Sequence, residues 1–273
     1  MMEKRTNWPV TILITLGSLL IIFPLYMAIS IALKNPQELA QSALSFPINL
    51  HWENFMRAIE ATNFFNALKN SAVITIFTLV FTILSNSMVA YAIARNMHRK
   101  LFKTLYFYFV SALFIPFPII MLPVVKQTSA LGLNNPAGLI LLYVVYGMAM
   151  NIFIYVGYIR SIPQELEEAA IVDGCSTWGV FWKVIFPLLT PINATVGILT
   201  CLWAWNDFLL PLIILSDSAD ATLPLVQYVF QTEFGTDYNL AFASYLLALA
   251  PMVLLYLFAQ RWIIGGVVKG AIK

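Results

Sequence analysis

The acidic side chains of residues 165–187 are the groups in this chain whose types and spacing are best suited to chemistry. Glu165, Glu167, Glu168 and Asp173 lie close together between long apolar stretches. A carboxylate at the centre of a membrane-spanning helix costs about 2.5–3.5 kcal/mol on insertion scales. We therefore expect this segment to lie in water between two spanning helices, where it forms a docking surface for a soluble partner.

Motifs for nucleotide binding and for catalysis are absent from the sequence. No Gly-x-x-x-x-Gly-Lys-Ser/Thr loop occurs, so the chain does not bind ATP in the P-loop manner. His51 and His98 stand alone in predicted loops without metal-ligand spacing, and no Ser/His/Asp or Cys/His set has comparable surroundings. Cys175 and Cys201 indicate no disulfide framework. We expect a non-catalytic chain that binds no cofactor and no metal.

The composition is that of an integral membrane protein. Of 273 residues, 60% are hydrophobic and 10% are charged, whereas soluble domains carry about a quarter charged residues. Without a basic face, nucleic-acid binding is not expected. Six segments are long and apolar enough to span a bilayer as helices, at about residues 10–33, 71–94, 104–126, 136–159, 191–215 and 241–264. We expect an all-α membrane protein with one transmembrane domain over residues 1–273.

Length and prolines refine the prediction for three of these helices. The first apolar run is longer than the 7–15 residues of a signal-peptide core, so we expect it to be retained as a helix. Pro116, Pro118 and Pro123 in the third run, and Pro251 in the sixth, predict kinks.

The distribution of Lys and Arg predicts the orientation of the chain. Eleven lie at the N-terminus, in the 95–103 loop, in the 160–190 loop and in the C-terminal tail, against four on the opposite side. The loop at 216–240 has none. By the positive-inside rule both termini and the acidic segment are cytoplasmic in a multi-pass protein of the cell membrane. Segment 34–70 then lies outside, and we expect it to contain an amphipathic helix at the interface, either as a lid for the bundle or as a contact for an extracellular delivery protein.

Local signals predict a short helix–turn–helix in the acidic segment. Pro163 suits the first position of a helix, and Gly174 can end it with a positive φ. Ser176 or Thr177 can then cap a second short helix that runs through Lys183.

The spacing in this segment resembles a family pattern. Glu168-Ala169-Ala170, three residues, Gly174, nine residues and Val184-x-Phe186-Pro187 resemble the Glu-Ala-Ala-x3-Gly-x9-Ile-x-Leu-Pro loop of ABC-importer permease subunits. The chain departs from the pattern at Val184 and Phe186, where both replacements are apolar. Three further stretches resemble the second permease of maltose-type sugar systems: Asn70-Ser71, Trp203-x-Trp205-Asn206-x-Phe208-x2-Pro211-Leu212 and Arg261-Trp262-x2-Gly265-Gly266-x3-Gly270.

The resemblance implies a fold, partners and contact residues. It implies the ABC-importer permease fold of six transmembrane helices, with region 163–187 as a cytoplasmic coupling helix that sits in a groove of a partner ATPase. The matching coupling residues are Glu168, Ala169, Ala170, Asp173, Gly174, Val184 and Pro187. The implied C-terminal ATPase contact is Gly265, Gly266, Lys269 and Gly270. The implied partners are a second permease as heterodimer, an ATPase dimer that binds ATP and Mg²⁺, an extracellular or periplasmic sugar-binding protein and membrane lipid.

The function that follows is that of a permease subunit in an ATP-driven, binding-protein-dependent importer of sugars or oligosaccharides. Polar and aromatic groups inside the predicted helices are the candidates for lining its pathway: Trp203, Trp205, Asn206, Asp207, Asn151 and Tyr245. Structural roles at membrane interfaces or between helices remain open for each. Alternative functions are an ion-gradient-driven secondary sugar transporter, an importer of another polar solute such as glycerol phosphate, or a membrane-embedded glycosyl transferase.

Overall fold

The computed structural model describes residues 8–232 and 235–271, with the backbone alone for residues 231, 232, 235, 236, 259 and 261–271. The chain divides into two compact units. One comprises the chain up to Phe65 together with Val226–Leu254, and the other comprises Asn66–Leu225 with the chain from Leu255 onward.

Helices make up most of the described structure. In chain order they are α1 (Trp8–Ala32), α2 (Pro36–Gln41), α3 (Glu53–Ala61), α4 (Phe64–Arg95), α5 (Lys100–Ser111), α6 (Phe117–Ala130), α7 (Pro136–Ile159), α8 (Glu165–Val172), α9 (Thr177–Val180), α10 (Phe186–Leu188), α11 (Thr190–Asn206), α12 (Leu209–Ile214), α13 (Leu223–Val226) and α14 (Tyr238–Ala271). Short 3₁₀ turns cover Ala112–Phe114, Ser218–Asp220 and Gln227–Phe230, and a π-helical turn covers Phe181–Ile185. A small antiparallel pair, β1 (Gln231–Thr232) and β2 (Gly235–Thr236), is an addition to the predicted all-α fold.

The apolar helices confirm a membrane protein. Within the described ranges, α1, α4, α7 and the Tyr238–Phe258 part of α14 are each long and apolar enough to cross a bilayer. Two bent helix pairs, Lys100–Phe114 with Phe117–Ala130 and Thr177–Leu188 with Thr190–Asn206, raise this to six crossings if each pair is one span. The helix predicted at 136–159 has the observed bounds of α7, whereas the one predicted at 71–94 begins earlier, at Phe64, and α14 runs through Pro251 without ending.

Two of the expected spans are not continuous helices. The run at 104–126 consists of two helices, Lys100–Phe114 and Phe117–Ala130, and the chain bends by 108° between them. Pro116 has no N–H to continue the first helix, and its ψ of 130° redirects the chain. The run at 191–215 breaks at Asp207, whose ψ of 132° is extended, so α11 ends and α12 begins after it.

In the first unit, the end of α1 is held by amide and ammonium donors. Asn54 and Asn239 donate through Nδ2 to the Lys34 carbonyl at 2.8 and 2.7 Å, and each also donates to a carbonyl in the last turn of α1 at 2.9 Å. Lys34 is fully buried, and its Nζ donates to the Ser42 carbonyl at 2.8 Å. These donors satisfy carbonyls that a helix C-terminus leaves without intrahelical partners.

The segment after α1 contains the short amphipathic helix expected between residues 34 and 70. This helix is α3, which buries Asn54 and Ala58 and exposes Met56. The sequence predicted that His51, just before this helix, stands alone, but the structure gives it two partners. Its Nδ1 lies 2.5 Å from Glu53 Oε1, and its Nε2 lies 3.2 Å from Asn35 Nδ2. The hydrogen bond with His51 lowers the pKa of the Glu53 carboxyl.

The second unit contains two apolar clusters. One is centred on the C-terminal end of α4, α7 and the segment from α8 to α11, with Tyr155, Phe181 and Ile185 among its buried members. The other lies between α4, α7 and α12, with Tyr143 at its centre. The first cluster supports the segment from α8 to α11, and the second supports the break between α11 and α12.

Candidate functional site

The predicted helix–turn–helix is present between α7 and α11. Gly174 ends α8 with φ +84°, and the N–H of Cys175 then reaches the Ala170 carbonyl at 2.9 Å, the arrangement of a glycine-terminated helix. Ser176 Oγ accepts from the Gly179 N–H at 3.2 Å and caps α9, as expected. Pro163 does not occupy the first helical position, because α8 begins at Glu165 after Gln164.

Helix α8 has one face on the protein and one in solvent. Glu167 and Ala170 are buried, and Ala170 belongs to the first apolar cluster. Four exposed apolar side chains lie on or next to the outward face of this segment: Leu166, Ile171, Val172 and Trp178. An exposed group of apolar residues on a polar segment is typical of a protein interaction surface.

The predicted coupling residues divide between these two faces. Glu168, Ala169, Asp173 and Gly174 are exposed. Ala170 faces inward, Val184 is half-buried and Pro187 is exposed at the return into the bundle. Of the predicted set, four residues on α8 and its C-terminal turn are therefore available to a partner.

An ion pair fastens α8 to the end of α4. Arg95 Nε donates to Glu167 Oε1 at 2.6 Å, and Tyr91 donates through its hydroxyl to Glu167 Oε2 at 2.6 Å. Arg95 also donates through Nη2 to the Ile162 carbonyl at 3.0 Å. The side chains of Arg95 and Glu167 are each 12% exposed, so removal of one charge leaves the other poorly solvated.

This connection was missed at the sequence level. Glu167 was counted there with the solvated carboxylates, and Arg95 with the charges that set orientation. The partner lies 72 positions away along the chain, so no local spacing predicts the pair. The sequence did contain one indication that Glu167 is buried. It lies three residues before Ala170, so the two side chains share a face of the helix, and the small Ala170 suits a face that packs against the protein.

The return from α9 to the membrane passes through a packed aromatic turn. Phe181 and Ile185 are buried, and the Phe181 ring lies 5.4 Å from that of Tyr91. The N–H of Phe186 donates to the Phe181 carbonyl, five residues back, in a π-helical turn. Pro187 follows and has no N–H to donate, which favours this irregular turn. The turn packs against the same part of α4 as the ion pair.

A cleft of about 570 Å³ forms a second region in the same unit. Its lining comes from the α5–α6 bend, α7 and the α11–α12 break, and includes Tyr108, Tyr146, Trp203 and Asp207 among apolar side chains. Aromatic faces with a few polar groups are typical of small-ligand pockets. Two of the six predicted pathway residues, Trp203 and Asp207, therefore share one cleft.

Asp207 and Trp203 are both held by Tyr143. The Tyr143 hydroxyl donates to Asp207 Oδ2 at 3.0 Å, and the Trp203 ring meets the Tyr143 ring edge-on at 5.1 Å. Asp207 also accepts from the N–H groups of Leu209 and Leu210 at 3.2 and 3.3 Å. Its carboxylate thus caps α12, a structural role that the sequence did not indicate.

The other predicted pathway residues do not line this cleft. Trp205 is buried, and Asn206 donates to the Leu202 carbonyl of its own helix at 2.7 Å. Asn151 is buried on α7, one turn from Gly147. Tyr245 belongs to the first unit, where its ring lies 5.8 Å from that of Phe242.

Two further predictions concern the chain ends and metals. The proposed contact at Gly265, Gly266, Lys269 and Gly270 falls on the part of α14 whose side chains lie outside the described ones. Among the residues with described side chains, no three His, Cys, Asp or Glu groups converge as metal ligands.

Comparison with known proteins gives a consistent set of matches. The family described as "Binding-protein-dependent transport system inner membrane component" matches residues 87–269. The multiple sugar-binding transport system permease protein MsmG of Streptococcus mutans is 39% identical, with 99% of each chain covered. The probable starch degradation products transport system permease protein AmyC of Thermoanaerobacterium thermosulfurigenes is 34% identical, over 94% of this chain and 93% of that protein.

A third relative and one solved structure extend the comparison. The melibiose/raffinose/stachyose import permease protein MelC of Bacillus subtilis is 33% identical, over 92% of this chain and 91% of that protein. A crystal structure of a bacterial ABC transporter involved in the import of the polysaccharide alginate superposes with a TM-score of 0.78 at 19% identity, covering 96% of this chain and 99% of that chain. At this identity the likeness establishes the fold, as the sequence resemblance implied.

The adjacent glutamates of α8 allow a matched test of the ion pair. Glu167→Gln leaves the Arg95 charge without a carboxylate, and we expect it to lower the free energy of unfolding by about 3 kcal/mol. Glu168→Gln, at an exposed position one residue away, should change the free energy of unfolding by less than about 0.5 kcal/mol. Thermal unfolding of both purified variants measures the difference. Equal midpoints would contradict a stabilising Arg95–Glu167 pair.

Proposed function

We propose that this chain, which belongs to the family of inner membrane components of binding-protein-dependent transport systems, is one of two permease subunits in an importer of sugars or oligosaccharides. The printed names of MsmG, AmyC and MelC, which refer to sugars or starch products, support carbohydrate as the solute class. A second permease completes the pathway, and a sugar-binding protein delivers the solute.

Family membership weighs against two of the alternatives. Relatives with 31% and 36% identity are named as ABC transporter permeases, which disfavours the ion-gradient-driven secondary transporter. Relatives with 30% identity or more are named as permeases, which disfavours a glycosyl transferase. Glycerol phosphate remains a candidate solute, and the uptake assays below include it for this reason.

The observation that carries the proposal is the construction of the coupling segment. Helix α8 is tied to the end of α4 by Glu167, while its opposite face presents Leu166, Ile171 and Val172 to solvent. A force applied to that face is transmitted to α4 through the buried ion pair and to α11 through the packed turn. This is the arrangement needed to convert the closing of a partner ATPase into movement of membrane helices.

The partner ATPase supplies the energy in this scheme. It binds ATP and Mg²⁺, and its two nucleotide states must differ in affinity for the two states of the permease, because only differential affinity shifts a conformational equilibrium. The outward residues Glu168, Ala169, Asp173 and Gly174 form the contact. The C-terminal residues Gly265, Gly266, Lys269 and Gly270 form a second contact.

The cleft beside the α5–α6 bend is proposed as this chain's part of the solute pathway. Trp203 offers an aromatic face that can stack on the C–H surface of a sugar ring. Tyr143 holds the carboxylate of Asp207 and the ring of Trp203 in fixed positions. Asp207 can accept hydrogen bonds from sugar hydroxyls, since each carboxylate oxygen has more than one lone pair.

Gly174→Asp tests the docking role, with Gly132→Asp as its control. Both glycines have positive φ, +84° and +67°, and both have open space where a Cβ would lie. The backbone strain is thus comparable, but only Gly174 lies in the coupling segment. We expect Gly174→Asp to reduce ATP-dependent uptake about tenfold, because it adds a charged side chain at the docking face.

Gly132→Asp should retain most of the uptake. The measurements are uptake of radiolabelled melibiose, raffinose, maltose and glycerol 3-phosphate, and co-purification of the ATPase. Normal uptake and normal co-purification by Gly174→Asp would refute the docking role. Uptake of glycerol phosphate alone would refute sugar as the solute.

Cysteine labelling tests the proposed orientation. Ser218 and Glu168 are both exposed, and the Lys and Arg distribution predicts that they lie on opposite sides of the membrane. In a background without Cys175 and Cys201, we expect Ser218→Cys to react with an impermeant maleimide in intact cells. Glu168→Cys should react only after permeabilisation, and the reverse result would overturn the orientation.

Two substitutions of Trp203 test the pathway. Trp203→Phe keeps an aromatic face, whereas Trp203→Leu keeps an apolar side chain without one. We expect the KM for uptake to rise about tenfold in Trp203→Leu, the equivalent of about 1.4 kcal/mol, and much less in Trp203→Phe. Wild-type KM values in both would remove Trp203 from the pathway.

A further inference from the structure

The segment between α2 and α3 carries a regular row of exposed apolar side chains. Every second residue from Leu44 to Trp52 is apolar, and all five are exposed, with Phe46 at 78% and Ile48 at 80%. The intervening residues are polar or proline, and Ser45 and His51 among them bond to the rest of the first unit. The segment is irregular, with bends at residues 43–45 and 48–49, and it leaves all five apolar side chains uncovered by the protein.

This segment lies against the membrane-spanning part of α1. The Tyr26 hydroxyl donates to the Leu44 carbonyl at 2.7 Å, and the Tyr26 and Phe46 rings meet edge-on at 5.3 Å. Tyr26 precedes the end of α1 by six residues, which corresponds to about 9 Å along the helix axis. The other end of the segment lies at the C-terminal end of α1, where the His51 N–H donates to the Leu33 carbonyl at 3.0 Å.

The backbone at the start of the segment, residues 42–45, is satisfied by donors from α1 and from Lys34 just after it. The Leu44 carbonyl accepts from Tyr26, and the Ser45 carbonyl accepts from Ser30 Oγ at 3.0 Å. The buried Lys34 ammonium donates to the carbonyls of Ser42 and Ala43 at 2.8 and 3.4 Å. Four consecutive carbonyls therefore have internal partners. Irregular backbone at membrane depth requires such partners, because hydrocarbon offers none.

The absence of charged residues and the neighbouring apolar surface of α1 indicate what covers this row of side chains. No Lys, Arg, Asp or Glu occurs from residue 39 to residue 52, so the row offers a soluble partner no ionic contact. The membrane-spanning surface of α1 is itself exposed and apolar, with Leu20 at 75% and Ile21 at 78%. The row lies beside the last turns of α1, between the levels of Tyr26 and Leu33, and adds to this apolar surface.

We propose that residues 42–52 form a loop inserted in the lipid leaflet at which α1 ends, with the apolar row among the acyl chains. Phe46 lies deepest, beside Tyr26, and Trp52 lies at the level of the headgroups, where tryptophan is enriched. Lys34 fixes the loop through backbone contacts and keeps its own charge away from lipid. The loop thereby sets the depth at which the end of α1 sits in the membrane.

Spin-label accessibility tests this placement in the full chain with its co-purifying subunits, in nanodiscs of phosphatidylcholine and phosphatidylglycerol. Single cysteines at Phe46 and Ile48, in a background without Cys175 and Cys201, carry a nitroxide. Gln41→Cys and Asn49→Cys are the controls, because both positions are exposed but lie off the apolar row. Collision with oxygen reports lipid, and collision with a water-soluble nickel chelate reports water.

We expect the ratio of oxygen to nickel collisions to be several-fold higher for Phe46→Cys and Ile48→Cys than for the two controls. Ratios at Phe46→Cys and Ile48→Cys no higher than at Gln41→Cys, with frequent collision with the nickel chelate, would place the segment in water and refute the proposal. Low collision with both reagents at 46 and 48 would show a protein cover, either the second permease or the binding protein, and would refute it equally. If Phe46→Cys does not assemble, Leu50→Cys provides the second reporter on the row.

Discussion

Charged side chains in apolar surroundings need partners inside the protein, and this constraint shapes segments of both units. Glu167 meets it through Arg95 and Tyr91, and Asp207 through Tyr143 and two backbone N–H groups. Lys34 meets it through carbonyls of the following loop. In lipid no solvent molecule can substitute for such partners, so each group fixes the geometry of the segments that it joins.

The same constraint gives the coupling segment its mechanical property. A polar helix on a short turn would move independently of the bundle if only its backbone connected it. The buried pair between α4 and α8, together with Phe181 and Ile185 in the following turn, removes that freedom. One face of α8 can then remain exposed for a partner without loss of rigidity, because the fastening and the docking use opposite faces.

Two helix breaks position the groups that line the cleft. The bend between α5 and α6 and the interruption at Asp207 open a cleft in a bundle whose helices would otherwise pack along their length. Each break has a local cause: Pro116 lacks an N–H, and Asp207 accepts the N–H groups that begin α12. Polar and aromatic groups therefore collect at the break, where backbone and side chains can satisfy one another.

The sequence by itself determined the membrane class, the bounds of α7 and the turn at Gly174. Apolar length, proline position and the need for positive φ act locally, so they can be read from neighbouring residues. The helix predicted at 191–215 shows the limit, because the run is apolar enough overall to predict one span, yet α11 ends at one of its few polar residues, Asp207. Only the tertiary structure decided that Glu167 faces inward, that Trp203 and Asp207 share a cleft while Trp205 does not, and that Lys34 is buried. These outcomes depend on partners distant in sequence, such as Arg95 for Glu167, whose proximity is created by packing.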